Sequence, residues 1–451
     1  MDEVERGRAL RLAGDLDGAE ATFRQAVGTA QVELAGVLEA KGDCAAALAV
    51  LERASAADPD SPAIWQALAR LHQAAGRLEA ADVAWRNLSA VAYRAKDLLQ
   101  SDRAARQALS LFPVRLAGGT GAEAPRLLVL YACRRTPTYF MAPDCVYQRS
   151  SFSTAGFLDC DGYQLATAFL GLSDDMALKR PAAVLNAIAD ADGEPEGLIQ
   201  AAEFVDRLGV PVINHPGRIA ATTRDGVWNQ VKDIDGVVMG KTVRARCPDP
   251  QHPDLARLIA EAELRYPVLV RPVATQTGEG LLLLDDEAAA AAAILDARYA
   301  EMYLIQYIEC RSDDGYWRKA RLFVVDGTIY PDHHVIANQW NSRIRTARPM
   351  MRQTPAMVDE EIDFLVNCHD RLGARRVAAI DEIARRFGLD YFGIDCNLLP
   401  DGRLFIFEAN PCMRRQHYEV TQGDTYLIEP MAKVTNAFKR MVRHRLGLAG
   451  R

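Results

Sequence analysis

Asp395, Glu408 and Asn410 carry the clearest chemistry in this sequence of 451 residues. They lie in LDYFGIDCNLLPDGRLFIFEANP, two apolar runs joined by Pro400, Asp401 and Gly402. Such a tripeptide favours a tight turn, so the two runs read as a β-hairpin. On a strand, Glu408 and Asn410 are i and i+2 and project from one face. Asp395 lies 13 residues before Glu408, and the hairpin folds it back beside them. Two carboxylates and an amide oxygen form a hard donor set. That set suits Mg²⁺, which takes few protein carboxylates and fills its shell with substrate phosphates. The bland alternative is a solvated acidic hairpin, but Ile394, Phe405 and Phe407 mark these strands as core.

The elements that must position this hairpin are a mixed set. Residues 266–271 (YPVLVR) predict a strand, and 274–280 (ATQTGEG) a polar glycine loop. A returning strand at 281–284 and an alanine-rich helix at 287–295 follow. Strands are expected at 302–308 and 317–325, and Asp326-Gly327 turns the chain into 328–330. Helices at 359–372 and 377–387 precede the hairpin strands 391–399 and 404–408. Upstream, apolar runs at 126–132, 182–188 and 210–214 alternate with a helix at 198–208. That alternation predicts a parallel sheet.

Residues 1–112 differ. Three segments superimpose on the turn glycines Gly14, Gly42 and Gly76, which are 28 and 34 residues apart. Five residues after each stands an alanine (Ala19, Ala47, Ala81), and nine after each a bulky residue (Phe23, Leu51, Trp85). The alanine lets two helices approach, and the bulky residue fills the next layer. Trp65, Leu68 and Pro59 complete the pattern, and a weaker fourth unit runs through Ala105, Ala108 and Pro113. This resembles the tetratricopeptide repeat. Two uses of the arm stay open: a structural or dimerising cap, and a groove for a peptide or protein.

The body resembles the ATP-grasp fold over roughly residues 210–415, nearest to the branch of glutathione synthetase and the peptide–glutamate ligases. The resemblance implies an ATP-dependent ligase that joins a carboxylate to an amine through an acyl phosphate. It implies that Asp395, Glu408 and Asn410 hold Mg²⁺. It implies that Gln306, Tyr307 and Ile308 form the hinge against adenine, and that Thr275, Thr277, Gly278 and Gly280 belong to a loop over the phosphates. Arg271 stands where the family has lysine and is expected at the nucleotide, its guanidinium a planar fork in place of a point charge. Arg321 falls where an arginine faces the developing anion. Within Asp332-His333-His334, neighbouring histidines face opposite ways on a strand. His334 is the candidate substrate contact or base. Arg224 opens a stretch that resembles the helix entering the nucleotide site, with Gly226 where relatives carry lysine. Arg414 and Arg415 suit a substrate carboxylate or a solvated pair, and Cys412 reads as an inert thiol.

The expected class is multidomain: a helical repeat solenoid (1–112), a linker (113–125), an α/β pre-ATP-grasp domain (126–216) and an α+β ATP-grasp domain (217–445). Charge excludes one class of partner. With 53 basic and 60 acidic residues the net charge is −7, which leaves no basic excess for nucleic acid. Nine scattered cysteines without a C-x-x-C pair argue against a disulfide framework or zinc module. Neither a signal peptide nor a membrane span is expected, which points to a reducing cytoplasm. Expected partners are a peptide, protein or amino-acid-like substrate, a protein bound by the repeats, and a second copy in a homo-oligomer. Two other readings are a non-catalytic repeat scaffold with a nucleotide-sensing fold, and an ATP-grasp phosphotransferase without ligation.

Overall fold

The computed structural model describes residues 3–448 apart from 120, 122, 133–138, 143–144, 149–156, 171–179, 248–253, 276–277, 294–299, 342–343, 412 and 414–422. The chain divides into two compact units. One holds residues 1–117, 133–149 and 167–178, and the other 118–132, 150–166 and 179–451.

Six helices build the first unit: α1 (Glu3–Leu12), α2 (Leu16–Ala40), α3 (Cys44–Ala57), α4 (Pro62–Ala74), α5 (Leu78–Arg94) and α6 (Leu98–Leu111). The turn glycines take left-handed backbone, with φ of 84° at Gly14, 83° at Gly42 and 69° at Gly76. Asp15, Asp43 and Asp97 then cap the following helices by accepting from backbone N–H groups. Ala47, Leu51 and Ala81 are fully buried, as the repeat spacing requires, and Trp85 packs against that core. The weak fourth unit forms a full helix, α6, in which Ala105 and Ala108 are fully buried. The side chain of Phe23 lies outside the described residues.

Strand β1 (Val114–Gly119) occupies part of the stretch expected as a linker. It is followed by β2 (Arg126–Ala132), β3 (Tyr139–Ala142), β4 (Cys145–Gln148) and β5 (Gln164–Leu170). The β3–β4 hairpin belongs to the first unit. In the second unit β2 pairs in parallel with β6 (Ala183–Asn186), which pairs in parallel with β7 (Val212–Ile213). Helix α7 (Pro195–Leu208) is the crossover between β6 and β7. Short helices α8 (Pro216–Ile219) and α9 (Arg224–Val231) and strand β8 (Val237–Val238) follow.

Two further sheets make up the rest of the second unit. The first is antiparallel, in the order β11 (Leu282–Leu284), β10 (Val268–Pro272), β12 (Glu301–Gln306), β9 (Thr242–Arg246). Helices α10 (Leu255–Glu261) and α11 (Glu287–Ala292) close its core through Leu255, Ile259 and Ala290. The second runs β14 (Thr328–Ala337), β13 (Trp317–Val325), β15 (Tyr391–Leu398), β16 (Leu404–Asn410), β8. Helices α12 (Ile344–Arg352), α13 (Pro355–Val366), α14 (Cys368–Phe387) and α15 (Ile428–Arg445) accompany it. β14 is longer than the expected 328–330, because Val335, Ile336 and Ala337 are buried against α12. Among the described residues no helix is long and apolar enough to cross a membrane.

Leu51 has no exposed surface. Leu51→Ala should lower the arm's unfolding free energy by about 2–5 kcal/mol in urea melts followed by far-UV circular dichroism. An unchanged midpoint would contradict this packing.

Candidate functional site

The hairpin β15–β16 sits centrally in the five-stranded sheet, and cross-strand register places its polar groups in a row. His333 pairs with Arg321, Arg321 with Asp395, and Asp395 with Glu408. Residues directly opposite in antiparallel strands share a face, so four strands present these four side chains together. The Arg321 guanidinium grips Asp395 with two bonds, Nε to Oδ1 at 2.7 Å and Nη2 to Oδ2 at 3.0 Å. Lys319, two residues before Arg321, brings Nζ to 3.4 Å from Oδ2. Asn410 donates to Glu408 Oε1 at 2.7 Å, and Arg224 lies 3.2 Å from the same oxygen.

Two bulges flank the row. Leu322 pairs with Pro331 while Arg321 pairs with His333, so Asp332 is an extra residue in β14. Cys396 pairs with Ile406 while Asp395 pairs with Glu408, so Phe407 is extra in β16. Bulges re-aim side chains next to a site. Opposite Asn410 stands Gly393. A Cβ there would come within 2.5 Å of Met413 Sδ, so Met413 lies directly on the bare backbone.

Burial opposes the charge on Asp395, but Arg321 and Lys319 outweigh it and hold the carboxyl well below the usual range. Burial likewise opposes ionisation of Glu408. Arg224 and then Arg271 pull it down, while Asp395 pushes it up. The net shift is downward, so both carboxylates are ionised at neutral pH.

The four-stranded sheet carries a second row. Arg271 pairs with Tyr303, and Tyr303 with Arg244. Arg271 is buried and donates to the Thr275 carbonyl at 2.5 Å, while Thr275 Oγ1 donates to the Pro272 carbonyl at 2.8 Å. Burial, followed by the charge of Arg224, pushes the Arg271 guanidinium down to about 10. Asp192, in the loop after β6, accepts the Tyr303 hydroxyl at 2.7 Å and pairs with Arg244. Burial raises the pKa of Asp192, and Tyr303 and Arg244 counter it. A cleft lies here, lined by Asp192, Arg224, Thr275, Tyr303, Glu408 and Asn410 among others.

The expected residues fall out as follows. Arg321, Asp395, Glu408 and Asn410 come together on one sheet, and Arg271 stands on the other with Thr275 in the turn just after its strand. Gly278 and Gly280 have φ of 73° and 65°, and a Cβ on Gly280 would meet the Pro272 ring at 2.8 Å. Thr277, Cys412, Arg414 and Arg415 lie outside the described residues. Gln306 ends β12 with its amide occupied, donating to the Arg265 carbonyl at 2.7 Å and accepting from the Arg265 N–H at 2.9 Å. Tyr307 follows, its hydroxyl 3.3 Å from Glu309, which also accepts from Trp317 at 2.8 Å. Ile308 is half-buried beside them.

His334 needs correction. It pairs with Ala320 and points to the face under α13, where Nε2 is 3.2 Å from Glu360 and the ring 4.8 Å from Phe364. The bulge at Asp332 gives the place opposite Arg321 to His333. Sequence reading also missed Lys319, Asp192 and Tyr303. Lys319 has the period-two relation to Arg321 as its signal. Asp192 and Tyr303 meet across 111 residues and have none.

The donor chemistry fits Mg²⁺. Asp395 and Glu408 are adjacent ionised carboxylates, and Asn410 adds an amide oxygen. Among the described residues no cluster of three or more His, Cys, Asp or Glu makes a self-sufficient cation site. A pair of carboxylates is the usual protein share of an Mg²⁺ that is also held by phosphates.

The native pKa of Asp395 lies below its unfolded value of about 3.9. Its contribution is therefore present above that pH and is lost as the pH falls through the native value. Arg321→Met leaves this buried carboxylate without its main partner. The expected cost at pH 7 is about 3–5 kcal/mol, with a weaker loss of stability on acidification than in the wild type. Urea melts at pH 7 and pH 3 measure both, and a cost under about 1 kcal/mol would exclude the pair as a structural tie.

A family model described as RimK-like ATP-grasp domain matches residues 249–425, and one described as tetratricopeptide repeat matches residues 28–71. No curated protein matches the chain. Similar solved structures include a RimK domain ATP-grasp protein from Sphaerobacter thermophilus, at 15% identity and a TM-score of 0.38 over 69% of this chain and 99% of that one. Another is the D-alanine-D-alanine ligase from Coxiella burnetii, at 11% identity and 0.40 over 71% of this chain and 97% of that one. A third is the ATP-grasp ligase PsnB complexed with precursor peptide PsnA2 and AMPPNP, at 14% and 0.37 over 70% of this chain and 99% of that one. Residues 28–71 of the chain thus carry a match to the tetratricopeptide repeat, and residues 249–425 a match to the RimK-like ATP-grasp domain.

Proposed function

We propose that this protein is an ATP- and Mg²⁺-dependent carboxylate–amine ligase that works through an acyl phosphate on a peptide, protein or amino-acid-derived substrate. The observation that carries this reading is the row Arg321–Asp395–Glu408 with Asn410 beside it. A scaffold has no need for two ionised carboxylates held side by side in a core.

A carboxylate is a poor electrophile, and phosphorylation supplies it with a leaving group. Charge develops on phosphate oxygens in that step and on the tetrahedral oxygen in the next. Asp395, Glu408 and Asn410 would hold Mg²⁺, which neutralises phosphate charge when bound. Arg224 and Arg271 bring two more positive charges to Glu408's side of the cleft. Arg321 stands over Asp395 as the cation for the tetrahedral oxyanion. Arg271 fixes the Thr275 carbonyl, so the arm of charge and the start of the glycine loop are held as one piece.

The repeats support a macromolecular partner, since stacked helix pairs make extended surfaces. Six described cysteines, Cys44, Cys160, Cys247, Cys310, Cys368 and Cys396, are free thiols.

Thermal shift with Mg-ATP tests the site. At 100 times Kd the wild type should gain about 2.7 kcal/mol. Asp395→Asn with Glu408→Gln should lose the gain, and so should wild type without Mg²⁺. No stabilisation at millimolar ATP would sink the ligase reading. Positive binding leads to a substrate screen scored by ADP release. Arg271→Lys keeps the charge but loses the fork. Its Kd for Mg-ATP should rise less than about tenfold, and that of Arg271→Ala more, by isothermal titration.

A further inference from the structure

The bulge that places His333 opposite Arg321 also creates a buried pair. Asp332 and His333 are 2% and 1% exposed. Asp332 Oδ2 lies 2.9 Å from His333 Nδ1. Among the described residues, Asp332 Oδ1 and His333 Nε2 have no hydrogen-bond partner. Buried polar atoms are nearly always paired, and an unpaired one costs about 1–3 kcal/mol. With its Nδ1 proton donated to the carboxylate, the imidazole presents a lone pair at Nε2. Both orphaned atoms are then acceptors, so whatever completes them must bring N–H or O–H bonds.

The charged groups acting on His333 are Asp332, Arg321 and Asp395. Burial lowers its pKa most, Arg321 adds to that, and Asp332 works against both. The imidazole is therefore neutral at physiological pH. Glu360 and Glu361 of α13 and Arg348 of α12 do not reach it. Glu360 holds the His334 ring, and Glu361 takes the His334 N–H and Arg348 on the opposite face.

In a ligation, the reactant that brings N–H bonds to this row is the amine. We propose that His333 accepts the proton of the attacking amine, with Asp332 fixing its tautomer. The proposal rests on the ligase reading above. The amine nitrogen forms a bond to the acyl carbon. The bond from that carbon to the phosphate oxygen breaks, and phosphate leaves with the electron pair. The surplus N–H proton passes to His333 Nε2. Burial of the imidazole keeps bulk water from taking this role.

The test uses the full-length chain with Mg-ATP and N-acetylated acidic peptides as carboxylates. Hydroxylamine is the acceptor in one arm and the proteinogenic amino acids in the other. Hydroxylamine is uncharged near neutral pH and attacks without a base. His333→Gln and Asp332→Asn should keep hydroxamate formation within about threefold and lose amide formation by about 10²–10³-fold. The amide activity should recover as the pH is raised. Asp332→Asn acts because its amide N–H faces Nδ1 and moves the ring proton to Nε2. Equal loss of hydroxamate and amide in the variants would overturn the proposal alone, and so would amide formation that survives both substitutions. A wild type that forms neither product would sink the ligase reading and the proposal with it. Nitrogen-15 spectra of histidine-labelled wild type give a check independent of variant folding. The resonance absent from His333→Gln or, should that fail to fold, shifted in Asp332→Asn should show the Nδ1–H tautomer at pH 7. A proton on Nε2 would overturn the assignment.

Discussion

The buried ion pair of Arg321 and Asp395 is the constraint around which the second unit is organised. A carboxylate in a sheet core is expensive unless a cation with matching geometry holds it. The planar guanidinium meets both oxygens, and Lys319 adds a second positive charge. Arg321 must therefore lie on the neighbouring strand, directly opposite Asp395. That register fixes where Glu408 falls on one side and His333 on the other. A slip of one residue in any one strand would turn that strand's group to the opposite face, away from the other three.

The two sheets divide the charge between them. The five-stranded sheet supplies the carboxylates, and the four-stranded sheet supplies Arg271 and Arg244 around Tyr303. Asp192 joins the second set from the loop after β6, through the Tyr303 hydroxyl and Arg244. A short loop of the parallel-sheet region thus becomes part of the same cleft as Glu408 and Asn410. Gln306 acts similarly within its own sheet, since its amide binds the backbone of Arg265 and fixes the end of β12 to the approach to β10.

Much of this was legible in the sequence because it is local. The hairpin of Asp395 and Glu408 has its turn, its apolar strands and its period-two spacing within a single stretch. The repeats declared themselves through glycines that need positive φ and alanines that need contact. What escaped was set by register. His333 and His334 cannot be told apart without knowing that Asp332 is an extra residue in its strand. Strand β14 looked short because Pro331, Asp332 and two histidines interrupt its apolar character, although the sheet buries nearly all of them. Tyr303 and Asp192 meet only through the tertiary fold. The stretch 113–125 read as a linker from its glycines, yet pairing outweighed composition and formed β1.

Gly393 illustrates how an absent atom shapes the region. It pairs with Asn410, and Met413 occupies the space that a β-carbon would need. Tyr391 donates to the Met413 carbonyl at 3.0 Å from two residues away on the same strand. The chain leaving β16 is thus seated on the strand from which Asp395 projects. Even alanine at 393 would lift that seat, and the disturbance would travel straight to the amide oxygen of Asn410. Variation at this position is closed by steric economy, although the glycine itself takes no part in any chemistry.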